Sequence, residues 1–99
     1  MAEIGETCAV GKKITRDLID KFIEISGDDN PIHTNDEFAS KTIFKKKIAH
    51  GLISAGLISK GLTQLLGAGN EWVSQTLKFK KPVYIGDVIT AKLKVLEKD

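Results

Sequence analysis

His50-Gly51-Leu52-Ile53-Ser54-Ala55-Gly56-Leu57-Ile58-Ser59-Lys60-Gly61-Leu62-Thr63-Gln64-Leu65-Leu66-Gly67-Ala68-Gly69 is the stretch that decides the fold. Its leucines and isoleucines fall on more than one side of a helix, so the spacing predicts a helix that is largely buried. Ser54, Ala55, Gly56, Ser59 and Gly61 let neighbouring backbone come close, and Gly67 and Gly69 end the helix.

Strand patterns flank it. Residues 3–13, EIGETCAVGKK, hold a short apolar run at Cys8, Ala9 and Val10 that predicts a first, edge-like strand. Val73, Gln75, Leu77 and Phe79 share one parity and predict a strand over 72–79. Pro82 and Gly86-Asp87 frame a turn around Val83, Tyr84 and Ile85. Ile89, Ala91, Leu93 and Val95 then alternate with Thr90, Lys92 and Lys94, which predicts a strand over 88–96 with one buried and one wet face. Together these give an α+β arrangement, an antiparallel sheet wrapped around a long central helix. The 99 residues fit a single domain, 1–99.

A shorter helix precedes the central one. Thr15 can cap it, and Asp17 and Asp20 suit its positive end. Leu18, Ile19, Phe22, Ile23 and Ser26 form one face, and Gly27 stops it. Pro31 then prevents continuation, because it restricts Asn30 and lacks a backbone donor. Residues 35–40 predict a short helical turn capped by Asn35 and anchored by Phe38. Lys41 to Lys47 form a basic, exposed connection.

Composition narrows the function classes. The net charge is +2, with Arg16 as the one arginine and no alternation of aromatic and basic residues, which argues against nucleic-acid binding. The lysines at 41, 45, 46, 47, 60, 78, 80 and 81 can attract phosphates or simply solvate a surface. Cys8 is the single cysteine, so neither an intrachain disulfide nor a cysteine-based metal cluster can form. The start MAEIGE lacks the pattern of a signal peptide, and no stretch has the length of a membrane span. No membrane association and a cytoplasmic location are therefore expected.

Ser26-Gly27-Asp28-Asp29-Asn30-Pro31-Ile32-His33 carries the chemistry. It places two carboxylates, an amide and an imidazole on non-helical backbone just after a helix, where functional groups concentrate. A carboxylate and an imidazole five positions apart in a turn can converge on one water. The same residues are also good turn chemistry, since Asp and Asn bond back to their own backbone. His33 and His50 are the only histidines and do not stand at ligand spacing, so no metal is expected. Gly51 at the start of the central helix would leave its N–H free for a developing oxyanion. It could equally be a tight start to a crowded helix, and His50 could cap, pack or line the site.

The sequence resembles the MaoC-like dehydratases, in particular the single-domain (R)-specific enoyl-CoA hydratases of the hot-dog fold. The matching residues are Ser26 to His33, Phe38-Ala39, Ile48-Ala49-His50-Gly51-Leu52, and Leu77 to Asp87. The resemblance implies reversible hydration of trans-2-enoyl-CoA to (R)-3-hydroxyacyl-CoA. It assigns Asp28 and His33 as the catalytic pair, the Gly51 amide as oxyanion donor, and Asn30 as support for the loop, with His50 as a further supporting residue. Asp29 falls on a variable motif position. No cofactor is implied, because the CoA thioester is the substrate, and a homodimer is the implied assembly. Two other readings keep the fold: a 3-hydroxyacyl-[acyl carrier protein] dehydratase, and a non-catalytic acyl-CoA-binding module. Family domains continue with further strands, so the expected sheet lacks the usual C-terminal strands. That shortfall fits a fragment, an unstable product, or a sheet completed by a partner.

Overall fold

A computed structural model describes residues 3–97; the outer limits of the expected 1–99 domain lie outside them. In chain order they form β1 (Thr7–Lys13), α1 (Arg16–Ser26), α2 (Pro31–Thr34), α3 (Asp36–Ser40), α4 (Gly51–Leu66) and β2 (Val88–Lys94). The long helix α4 lies against an antiparallel sheet, as the hot-dog arrangement requires. None of the helices among the described residues is long and apolar enough to cross a membrane.

β1 and β2 pair antiparallel, from Thr7 opposite Lys94 to Lys13 opposite Val88. The alternation read from β2 holds: Ile89, Ala91 and Leu93 are half-buried, the residues between them are exposed, and Val95 just beyond is buried. Leu93 meets α4 at Gly61, where an added Cβ would lie 2.5 Å from Leu93 Cδ1. Only a residue without a side chain lets the helix approach the sheet this closely. Cys8 is a free thiol in β1, and its Sγ reaches the Gly61 carbonyl at 3.4 Å.

Ile14, Ile19 and Ala49 form the buried centre, with Ile53, Val83 and Ile89 packed around them. The sequence decides α1 locally. Thr15 Oγ1 accepts the Leu18 N–H at 3.2 Å, and Gly27, at φ 74°, donates its N–H to the Ile23 carbonyl. On the solvent side, Lys21 donates to Asp17 at 2.9 Å, and that bond raises the Lys21 pKa.

Four expectations need correction. The 72–79 stretch is not a strand: among the described residues no segment pairs with it in a hydrogen-bond ladder. The helix α4 is apolar on more than one side, yet only Leu57 and Gly61 within it are buried. The two-stranded sheet covers one flank of it, and Leu52 stays 56% exposed. In the short helix α3, Asn35 caps as expected by accepting the Phe38 N–H, but the buried anchor is Ala39 and Phe38 is exposed. The basic connection is not exposed throughout: the Lys47 side chain is mostly covered and pairs with Asp36 at 3.5 Å.

Candidate active site

The loop after α1 is shaped by its own side chains. Ser26 Oγ donates to the Phe22 carbonyl at 2.7 Å and accepts the Asp28 N–H at 3.0 Å. Asp28 Oδ1 accepts the Asn30 N–H at 3.3 Å, and Asn30 Oδ1 accepts the Ile32 N–H at 3.1 Å. The turn chemistry read from these residues is therefore present, and Asn30 supports the loop as the cap of α2. One correction follows. The imidazole of His33 does not sit on irregular backbone. Pro31 occupies the first turn of α2, where its missing donor costs nothing, and His33 belongs to that turn.

Two hydrogen bonds fix α2 to the segment before α4. The Ile48 N–H donates to the Ile32 carbonyl at 3.2 Å, and His33 Nδ1 lies 2.7 Å from the Ile48 carbonyl oxygen. A carbonyl only accepts, so Nδ1 carries the proton and the neutral ring keeps its lone pair on Nε2. From the other side, the Ala49 N–H donates to the Val83 carbonyl at 2.7 Å, and Ile48 bridges to Tyr84. Residues 48 and 49 are thus held between α2 and the 83–84 turn, and they present His50 and Gly51.

His50 is 4% exposed. Its ring stacks on His33 with centroids 3.7 Å apart and meets Phe22 at 4.6 Å. Its Nε2 donates to the main-chain carbonyl of Asp28 at 2.8 Å, while Nδ1 is buried with no partner. Such an orphaned acceptor costs about 1–3 kcal/mol. Nothing in the sequence marks this tether, since it joins positions 22 apart.

Asp28, His33 and His50 come together; the spacing in sequence pointed to the meeting of the first two and gave no sign of the third. One carboxylate oxygen of Asp28 and one ring nitrogen of each histidine lie within 4.8 Å of one another. One water can bridge Asp28 and His33 at such a separation. Three donors this close would also meet the distance requirement for a metal, which the spacing in sequence did not suggest. The donor set fits an ion poorly. Each histidine already gives one nitrogen to a carbonyl, and the two rings stack 29° from parallel rather than converging. Asp29 is exposed and lies outside the cluster.

Gly51 starts α4 without a side-chain cap from His50, and its N–H has no hydrogen-bond partner among the described residues. An added Cβ here would lie 2.6 Å from Phe79 Cδ1, so a larger residue would need the Phe79 ring to shift. Asp28, His33, His50 and Gly51 all line one open cavity of about 500 Å³. Phe22, Phe44, Leu52, Phe79 and Val83 give it apolar walls, and Lys80 and Lys81 add cations to its rim. The aromatic walls went unread in the sequence. Phe22 was legible only as a core-facing helix residue, and the two lysines only among several that could meet phosphates.

Residues 2–99 match the family model described as MaoC like domain. The chain is 48% identical over 96 residues to a 3-hydroxybutyryl-CoA dehydratase of Methylorubrum extorquens, covering 96% of this chain and 61% of that protein. It is 47% identical over 92 residues to an (R)-specific enoyl-CoA hydratase of Rhodospirillum rubrum, covering 92% and 64%. Among solved structures, an (R)-hydratase from A. caviae involved in PHA biosynthesis superposes with a TM-score of 0.90 at 36% identity, covering 96% of this chain and 73% of that one. The chain thus spans somewhat under two thirds of the length of those first two relatives.

Proposed function

The chain belongs to the MaoC-like domain family, and on that premise we propose that it catalyses reversible hydration of a trans-2-enoyl-CoA to an (R)-3-hydroxyacyl-CoA. The observation that carries this reading is the convergence of Asp28 and His33 beside the unpaired N–H of Gly51 in one apolar-walled cavity.

In this mechanism a water lies between the Asp28 carboxylate and Nε2 of His33. Asp28 takes a proton from it as the oxygen adds to the β-carbon. The displaced electron pair moves onto the thioester oxygen, where the Gly51 N–H and the positive end of α4 meet it. The proton on Asp28 passes to Nε2 of His33, which delivers it to the α-carbon, and both groups are thereby restored. The Nδ1–H bond to Ile48 supports this cycle, because it persists whether or not Nε2 is protonated. Lys80 and Lys81 are the cations best placed to meet CoA phosphates, since both line this cavity. Lys41 and Lys47 are engaged with Glu37 and Asp36. A homodimer completes the proposal, to be checked by the mass of the particle in solution.

Loss of crotonyl-CoA absorbance by the purified chain, beside an Asp28→Asn variant of equal foldedness, tests the reading. Turnover by the parent and its collapse in the variant is the expected result. Equal rates would remove Asp28 from its role. A folded but inactive parent would refute hydration of this CoA thioester, and turnover of the matching acyl carrier protein thioester would then establish the carrier reading.

A further inference from the structure

We infer that His50 is a positioning residue, which orients both proposed catalytic groups: Asp28 through a main-chain hydrogen bond and His33 through ring stacking. The kinetic part of this inference rests on the hydration reading; the structural part does not.

The nitrogens of His50 are unavailable for chemistry. Nε2 is taken by the Asp28 carbonyl and Nδ1 is buried without a partner. A phenylalanine would fill the slot between Phe22 and His33 without leaving a nitrogen orphaned. What distinguishes the imidazole there is its one donated hydrogen bond. Asp28 needs such an anchor. Its side chain is exposed, and the bond its carboxylate makes within the described residues is the 3.3 Å contact with the next-but-one N–H. A local turn of that kind fixes shape but not place. The bond from His50 ties the loop to the first turn of α4, and so sets where the carboxylate stands relative to Gly51 and His33. The same ring lies 3.7 Å from His33 and sets its plane, while Ile48 sets its rotation within that plane. Orientation of this sort governs rate strongly, since a misplacement of about 1 Å can cost about 100-fold.

The parent chain and two variants, His50→Phe and His50→Gln, test the inference. In the parent, nitrogen-detected NMR of the imidazoles is expected to show His50 protonated at Nε2 alone; a proton on Nδ1 instead would overturn the inference. H50F keeps a ring in the slot and removes the donor. Its kcat is expected to fall by about tenfold or more with KM little changed. H50Q returns a donor at similar reach and is expected to recover most of that loss. If H50Q fails as badly as H50F, or if both losses simply follow melting temperature, the role is merely structural and the inference is wrong. Amide exchange at Asp28 to Asn30 gives a readout independent of turnover. It should quicken in H50F and return towards the parent in H50Q, and no change in H50F counts against the proposal. If the parent is inactive on crotonyl-CoA, it is the hydration reading that fails, and the tautomer and exchange results still decide the role of His50. They also decide it, through the parent and H50Q, if H50F does not fold.

Discussion

The first turn of α4 and its middle both contain a glycine that no larger residue could replace without collision, and the two collisions differ in kind. At Gly51 an added methyl would strike the ring of Phe79, a residue 63% exposed that borders the cavity. At Gly61 it would strike Leu93, a half-buried residue of the paired strand β2. The first neighbour can swing into solvent; the second is held by the sheet. One end of the helix is shaped for a ligand, and the middle is shaped for packing. The same residue type, ten positions apart, serves access in one place and cohesion in the other.

Substitutions can break this contrast. Asp28→Asn should have the largest effect, lowering kcat by about 100-fold or more. Its melting temperature should barely move, because the side chain is exposed. Gly61→Val should do the reverse. Overpacking against Leu93 is expected to cost about 1–3 kcal/mol, read from the urea midpoint, while KM of the folded fraction stays near the parent value. If G61V proves as stable as the parent, the helix–sheet approach is looser than the 2.5 Å clash implies. Thr15→Ala probes how far the site end leans on α1, which supplies Phe22 and leads into Asp28. Loss of the cap bond to Leu18 should cost about 1 kcal/mol, with kcat within about twofold provided the loop is held mainly from α4. Gly51→Ala should be mildest in stability, under about 1 kcal/mol, because Phe79 can move aside and alanine favours helix. Its effect should fall on KM, and an unchanged KM would show that Phe79 plays no part in shaping the cavity.

Legibility in the sequence followed the range of the interactions. α1 was readable almost to the residue, since Thr15, Gly27 and the apolar face between them act within a few positions. The limits of α4 were readable for the same reason, at Gly51 and Gly67. Burial was not. Apolarity all round α4 says what the helix tolerates, whereas exposure depends on what lies beside it, and β1 with β2 covers one flank. The 72–79 stretch failed in a related way: alternation assigns faces to a strand but cannot supply its neighbour. In the site, Asp28 and His33 were found together because a turn brings positions five apart within reach. The tether from His50 and the carbonyl of Ile48 were invisible, because they join segments that only the folded chain brings together.

The short helix α2 has one further consequence. Four residues cannot sustain a helix in water, so α2 persists because Ile32 and His33 are both bonded to Ile48. Residues 31–34 and 48 therefore form one opening unit. Their amides should exchange with solvent at a common free energy, below that of the β1–β2 ladder. The imidazole cannot wander while the segment ahead of α4 is in place, and it cannot stay in register once that segment lets go. Heating or mild denaturant should thus silence the site in a single step, before the sheet melts.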